Sequence, residues 1–309
     1  MRRLHFIVNP SSGGGRGRQL AAGLAALLGQ AAVSILGQGD LAAIAAGLGN
    51  DDAIIACGGD GTASAVAGVL SMYVGDGPAL GVIPLGTGND LARTLGWSGV
   101  PQGDLSALVA RLNNARHRPL DCWRLNGPVG PKTWCNYLSM GVDARVALRF
   151  HHLRLRHPWL AQGGVVNRGI YGLLGAQQRG SALSPMLTLS NELCLPPSAS
   201  VLVLSNILSY AGGATLARNI RTDDAQFEVV ALGHGVRLGL ATAGLRRPRL
   251  IHRLGQLTFV LGREIAMQMD GEAFTAPVGQ YQVTHAGSIK ALIGERAAKG
   301  GSKEPVRRR

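Results

Sequence analysis

The sequence is short of acid, aromatics and paired cysteines, and each shortage removes a class of protein. Aspartate and glutamate number 18 against 31 lysines and arginines, for a net charge of +13. Such an excess attracts polyanions, whether phosphate esters, nucleic acid or an anionic membrane face, and charge alone does not choose among them. Aromatic residues make up only 5% of the chain, which leaves few stacking platforms for nucleic acid and argues against that partner. The four cysteines, Cys57, Cys122, Cys135 and Cys194, form no CxxC pair and have no histidine at zinc spacing. Three of them lie in apolar, strand-like runs, the setting of buried free thiols in a reducing compartment.

Long apolar spans are missing too. The charge-free stretch 19–39 is broken by Gln and Gly, and 193–217 by Pro196-Pro197, Ser205-Asn206 and Gly212-Gly213. The start MRRLHFIVNP has about five apolar residues before Asn-Pro, too few for the core of a signal peptide. A soluble or peripheral protein is expected. There is no internal repeat, and neither GxxxxGK(S/T) nor GxGxxG occurs, which excludes a Walker nucleotidase and an ordinary dinucleotide fold.

What is present is material for two domains. The 309 residues exceed the usual single-domain size and are 46% hydrophobic. Up to about residue 115 short apolar runs (4–9, 32–36, 52–57, 79–84) alternate with helical patterns. The helices are expected at 18–29, from an Asp40 cap through 48, at 62–72, after a cap at Asn89 or Asp90, and at 104–115. Near-continuous apolar strands alternating with helices predict a doubly wound parallel α/β sheet. After about residue 120, segments such as ASVLVLSNI, FEVVAL, LTFVL and IAMQM follow one another with few helices between. They predict a mostly antiparallel, sandwich-like β domain with helical insertions near 144–156, 165–178 and 236–243. The expected division is 1–120 for the α/β domain, 121–296 for the β-rich domain, and a basic disordered tail over 297–309.

Three glycine-rich loops follow strands: NPSSGGGRG (9–17), GGDGT (58–62) and GTGND (86–90). Ligands of a parallel α/β sheet collect beyond the carboxyl ends of its strands, where loops turn into helices. Glycine lets backbone N–H groups approach phosphate oxygens, and the helix start adds favourable partial charge. One such loop reads as a tight turn; three after strands of one sheet, one of them carrying an acid, read as a phosphate site. Its candidates are Asn9, Pro10, Ser11, Ser12 and Gly13, then Gly58, Gly59, Asp60, Gly61 and Thr62, then Gly86, Thr87 and Gly88. Arg16 and Arg18 stand beside the first loop. A carboxylate repels phosphate, so Asp60 suits a Mg2+ ion bridging the phosphates.

These residues resemble the diacylglycerol kinase catalytic family. VNPSSGG, CGGDGTAS and IPLGTGNDLARTLGW are similar to its three nucleotide-loop motifs, in order. NYLSMGVDARVALRFHHLR, NRGIYGLLG, NILSYAGGATL, DDAQFEVV and MDGEAF are similar to its lipid-kinase segments, so the resemblance covers about residues 4–294. The longer forms are closer to the animal and plant type, here without a cysteine-rich lipid-sensing zinc domain. The resemblance implies a first domain like that of NAD kinase and phosphofructokinase. It implies ATP and Mg2+ as cofactors and diacylglycerol, or a related lipid in an anionic membrane, as partner. It implies a cytoplasmic enzyme, peripheral on the inner membrane face, and leaves a homodimer open.

The resemblance also assigns roles. Asp60 falls near the metal and phosphates, and Glu272 matches the general base on the lipid hydroxyl, with Asp270 a minor rival. From the residues alone, QMDGEAF reads as a hairpin turn. A structural magnesium is implied at RTDDAQFE, held by the Asp224 side chain and the carbonyls of Arg221 and Gln226, with Asp143 joining Asp224 in a charge network. Three positions depart from the family pattern: Ala225 where glycine is frequent, Arg168 for a lysine, and Ser11 for a basic residue. For membrane contact, Arg246, Arg247 and Arg249 stand out, with Arg253, between leucines. The stretch 145–160, with Arg145, Arg149, Arg154, Arg156, Phe150 and Trp159, suits an anionic surface and equally a solvated helix face. The alternatives are a kinase for a sphingoid base, ceramide or another lipid alcohol, a relative of NAD kinase or phosphofructokinase, or a non-catalytic lipid or nucleotide binder.

Overall fold

A computed structural model describes residues 2–86, 88–98, 103–156, 182–190, 193–210, 212–217, 219–233 and 249–294. The helical segments expected near 165–178 and 236–243, and the tail over 297–309, lie outside the described residues. The chain opens with β1 (Leu4–Val8), α1 (Arg16–Leu28), β2 (Val33–Ile35), α2 (Leu41–Ala46), β3 (Ala53–Gly58), α3 (Asp60–Leu70), β4 (Ala79–Pro84), α4 (Asp90–Thr94) and α5 (Leu105–Asn114). Strands β2, β1, β3 and β4 lie side by side in that order and all run parallel. Every residue of β3 is buried, as a strand covered by helices on both faces must be. Two helices begin on carboxylate caps. Asp40 accepts from the N–H groups of Ala42 and Ala43 at 2.8 and 3.2 Å, and Asp104 from that of Ala107 at 2.9 Å.

Strands then dominate: β5 (Arg116–Asn126), β6 (Lys132–Trp134), β7 (Tyr137–Gly141), α6 (Val142–Arg156), β8 (Leu187–Leu189), β9 (Val201–Ser205), β10 (Ser209–Tyr210), β11 (Ala214–Thr215), β12 (Phe227–Leu232), β13 (Arg249–Leu254), β14 (Gln256–Leu261), β15 (Ile265–Met269), β16 (Glu272–Ala276) and β17 (Gly279–Ile293). A six-stranded antiparallel sheet runs β13-β12-β9-β7-β15-β16. The long β17 pairs antiparallel with β5 and β14 and reaches β4, where Ala291 meets Leu80 in parallel register. One nine-stranded sheet therefore runs from the parallel half into the antiparallel half. The Trp97 indole N–H donates to the Leu292 carbonyl at 2.7 Å and fixes that crossing.

The antiparallel half is a sandwich, as expected. Leu138, Met140, Leu202, Leu204 and Met267 of the six-stranded sheet share a buried cluster with Trp123, Leu257, Phe259 and Tyr281 of the other. The scarce aromatics concentrate there: Trp123 stands edge-on to Phe227 at 4.7 Å, and Phe259 stacks on Tyr281 at 5.2 Å. The opposite face of the six-stranded sheet is apolar as well, and Tyr137, Val201, Val203 and Val230 join the core of the α/β half. Cys57, Cys122 and Cys135 are buried free thiols and Cys194 is exposed. No described helix is long and apolar enough to cross a membrane.

Candidate active site

The three glycine loops meet at the carboxyl ends of β1, β3 and β4. In the first, Asn9 continues the ladder by donating its N–H to the Cys57 carbonyl at 3.0 Å, and its side chain accepts from the Ser11 N–H at 3.0 Å. Ser12–Gly15 then turns through a kink at Gly13 and Gly14, left-handed at φ 66° and 67°, a conformation that a β-carbon would strain. Arg16 turns back onto this loop, donating to the carbonyl of Gly13 at 3.1 Å and that of Leu85 at 3.4 Å. Second and third loops touch backbone to backbone: a β-carbon on Gly86 would sit 2.5 Å from Gly59 Cα. Only glycine permits that approach. Thr62, in the first turn of α3, has a buried hydroxyl with no hydrogen-bond partner, and Thr87 lies outside the described residues.

Asp60 sits in the seam between those loops. Its Oδ1 accepts from the Leu91 N–H at 3.1 Å, so it caps α4 from a different helix. Neither Asn89 nor Asp90 does so. Asn89 occupies the cap position at φ 52° without a side-chain capping bond, and its amide donates instead to the Gly86 carbonyl at 2.6 Å. Burial, followed by the charge of Asp90, raises the Asp60 pKa from 3.8 to about 6. Asp90 is itself buried and joins the two halves, accepting from the Ser209 hydroxyl at 2.6 Å and the Gly212 N–H at 3.0 Å while paired with Arg93 at 2.7 Å.

Glu272 comes from the antiparallel half. The Asp270-Gly271 pair, both with positive φ (49° and 91°), is the two-residue turn that an Asp-Gly sequence favours. It sets Glu272 opposite Met269 at the start of β16. The carboxylate is exposed and lies beside the first turn of α3, where Glu272 Oε1 is 3.7 Å from the position a Gly61 β-carbon would occupy. Asp270 is placed otherwise. It is fully buried and accepts from the backbone N–H groups of Cys135, Asn136 and Tyr137 at 3.0, 2.9 and 3.0 Å, and from the Ser64 hydroxyl of α3 at 3.0 Å. With the Cys135 thiol at 3.6 Å as a fifth donor, it has no room to receive a substrate proton; it locks the hairpin to the nucleotide half.

The loop 221–226 is held by a residue that sequence reasoning missed. Asp121 of β5 accepts from the Ala225 N–H at 2.8 Å and the Ser288 hydroxyl at 2.6 Å, with His285 Nε2 at 3.1 Å. Asp143 does not join Asp224. It is buried and bonded to Ser139, Tyr210 and Gln268, and burial outweighs those donors in raising its pKa. Asp224 Oδ1 accepts from the Gln226 N–H at 3.2 Å. Ala225 stands at φ 53°, a left-handed position that explains why glycine would suit it.

A divalent cation is compatible with both places. Among the described residues no three His, Cys, Asp or Glu side chains converge on a metal position. An ion near 221–226 would therefore depend on Asp224 and the backbone carbonyls of Arg221 and Gln226, keeping its own waters, as Mg2+ does. Nearby, Glu228 Oε2 is buried without a partner. Burial pushes the Glu228 pKa up to about 7, Arg253 lowers it and the Asp224 charge raises it again. At the other place, the charges of Asp90 and, less, of Asp270 act on Asp60 and raise its pKa further. Of the membrane candidates, Arg246 and Arg247 lie outside the described residues, and Arg249 is described only as the first residue of β13.

Comparison with known proteins finds two family modules in succession along the chain. The diacylglycerol kinase catalytic domain matches residues 3–125 and the diacylglycerol kinase accessory domain residues 133–273. Diacylglycerol kinase 1 of Arabidopsis thaliana is 29% identical over 79% of this chain and 38% of its own length. The eye-specific diacylglycerol kinase of Drosophila melanogaster is 32% identical over 86% of this chain and 21% of its own. The chain thus spans well under half of these curated relatives. A crystal structure of a diacylglycerol kinase from Bacillus anthracis strain Sterne shares the fold, with a TM-score of 0.63 over 96% of this chain and 98% of that one at 17% identity. With catalytic and accessory modules both matched, in order and over most of its length, the chain belongs to the diacylglycerol kinase family.

Proposed function

We propose that the protein transfers the γ-phosphate of ATP to the free hydroxyl of diacylglycerol, giving phosphatidic acid and ADP. The observation that carries this reading is the position of Glu272, an exposed carboxylate from the antiparallel half beside the Asp60 turn of the glycine loops. In this reading the region 1–120 holds the nucleotide, and 121–296 presents the lipid. The loops at Asn9–Gly13, Gly58–Thr62 and Gly86–Gly88 cradle the phosphates through the backbone N–H groups that their own hydrogen bonds leave open, among them those of Asp60 and Gly61 at the α3 N-terminus. Asp60, with a pKa raised to about 6, is the acid that would hold Mg2+, and Asp224 with the Arg221 and Gln226 carbonyls would hold a second, structural ion. Bound magnesium would supply charge neutralisation across the phosphates as the transfer proceeds.

Glu272 orients the lipid hydroxyl. As the hydroxyl oxygen bonds to the γ-phosphorus, the bond from that phosphorus to the β–γ bridging oxygen breaks, and the hydroxyl proton passes to Glu272. The substrate sits in a bilayer, so the enzyme works at the cytoplasmic face of a membrane as a peripheral protein. Radiolabelled ATP offered with mixed micelles of diacylglycerol, sphingosine or ceramide tests the acceptor, and label in phosphatidic acid is expected. Glu272→Gln is expected to lower turnover by about 100-fold or more with ATP affinity preserved. Full activity in that variant would remove Glu272 as the base, and label only on a sphingoid base would transfer the reading to that alcohol.

A further inference from the structure

Helix α6 packs on β7, β15 and β16, the strands around the Glu272 hairpin. Its inner side is set by sequence: Val142, Val146 and Ala147 are buried, and Asp143 turns in to Ser139 and Gln268. On the opposite side Arg145, Arg149, His152 and Arg156 follow one another at steps of four, three and four residues, the repeat of one helical stripe. Arg149, His152 and Arg156 are exposed and Arg145 is half-buried. The stripe extends about 16 Å at about 1.5 Å per residue.

Arg263, in the turn between β14 and β15, adds to it. Burial and then the charges of Arg149 and Arg263 lower the Arg145 pKa, with Asp143 acting against them, so the guanidinium groups of α6 and of this turn repel one another. None of Arg145, Arg149 and Arg263 forms a salt bridge among the described residues. The sequence adds no acid to the rest of α6: between Asp143 and Glu192 there is no aspartate or glutamate, and the nearest acid along the chain to Arg263 is its exposed neighbour Glu264. A stripe whose arginines form no salt bridge among the described residues, on a helix whose one acid, Asp143, turns inward to Ser139 and Gln268, fits a polyanionic plane. Poverty in aromatics disfavours nucleic acid, and the same helix covers the hairpin whose carboxylate must meet a hydroxyl at a bilayer.

We propose that the outward face of α6, with Arg145, Arg149, His152 and Arg156 backed by Arg263, docks on an anionic phospholipid bilayer and holds the Glu272 hairpin at its surface. The choice of a bilayer rests on the lipid-kinase reading. Vesicle binding is measured without ATP or diacylglycerol, so it succeeds or fails independently of catalysis. The protein is sedimented with phosphatidylcholine vesicles with and without phosphatidylglycerol. Binding only to the anionic vesicles is expected, weakening as salt is added. The exposed double variant Arg149→Gln/Arg156→Gln is expected to bind about 25-fold more weakly with an unchanged melting temperature, the equivalent of about 1 kcal/mol per basic side chain. Arg149→Lys/Arg156→Lys is expected to bind like the original, because a bilayer reads charge rather than guanidinium geometry. Undiminished binding by the glutamine variant overturns the proposal. So does loss of binding by the lysine variant, which would mark a specific phosphate pocket. Binding of an RNA oligonucleotide that the glutamine variant loses, with no vesicle binding by the unaltered protein, overturns it in favour of nucleic acid.

Discussion

Asp270 stands two residues before Glu272, and its replacement separates a positioning role from a catalytic one. Its carboxylate is the acceptor for three buried backbone N–H groups, of Cys135, Asn136 and Tyr137, and for the Ser64 hydroxyl across the domain junction. Each N–H stranded without an acceptor costs about 1–3 kcal/mol, so Asp270→Ala loses about 3–9 kcal/mol. A domain's whole stability is about 5–15 kcal/mol, and that variant lies at the edge of unfolding. Asp270→Asn is the informative change. Its oxygen can still accept from Asn136 and Tyr137, which both bond Oδ1, but its amide confronts the Cys135 N–H that bonded Oδ2. The loss is one to two of the four bonds, about 2–3 kcal/mol, or a fall in melting temperature of about 4–8 °C. A hairpin displaced by about 1 Å costs on the order of 100-fold in rate. Ser64→Ala, which removes only the bond between the halves, is expected to melt within about 2 °C of the original and still to lose activity. Circular dichroism melting and a pH–rate profile decide the matter. If Asp270→Asn melts with the original protein and loses the acidic limb of its pH profile, the limb on which a base gives up its proton, Asp270 is the base and the positioning argument fails.

Asp60→Asn should stabilise the protein while abolishing transfer. The Asp60 pKa is raised from 3.8 to about 6, so the penalty for folding with a carboxylate there is absent below the unfolded pKa. It grows as pH rises between the two values and is complete above the folded one. In chelator the asparagine variant is therefore expected to match the original at pH 4 and to exceed it by about 3 kcal/mol at neutral pH, at about 1.4 kcal/mol per unit; a gain that ignores pH contradicts this. Gly86→Ala drives a methyl group to 2.5 Å from Gly59 Cα, and is expected to cost about 1–3 kcal/mol and to weaken ATP binding in calorimetry. Ala225→Gly relieves a left-handed residue at φ 53° and, after the added chain entropy of glycine, should raise the urea midpoint by the equivalent of about 0.5 kcal/mol; a lower midpoint would show that the loop is not strained there.

Much of the fold was legible because its signals are local. Apolar runs closed by glycine marked β1, β3 and β4, the Asp40 cap and the Asp104 start marked two helices, and Asp-Gly before Glu272 marked a hairpin. The less legible residues act through distant partners. Asn89 and Asp90 occupy the place of a helix cap, yet the cap of α4 comes from Asp60, 31 positions away from its Leu91 partner. Asp143 and Asp224 are both acids near family motifs, yet Asp143 is spent within its own sheet, and Asp121 holds the 221–226 loop across a separation of 104 residues. The stretch 145–156 read equally as a solvated face or a membrane face until the helix was seated, since only packing fixes which side of it is buried.

By itself, then, the order of residues determined which segments become strands and helices and where glycine lets the chain turn tightly. Those outcomes depend on side-chain periodicity and on the φ angles that glycine permits, properties of neighbours along the chain. The tertiary structure alone decided that β17 returns to β4, that Asp270 faces Ser64 and that Glu272 faces Gly61. A carboxylate becomes a buried lock or stays exposed according to the donors that packing brings within about 3 Å, and pairing across more than 200 residues leaves no periodic trace in the sequence.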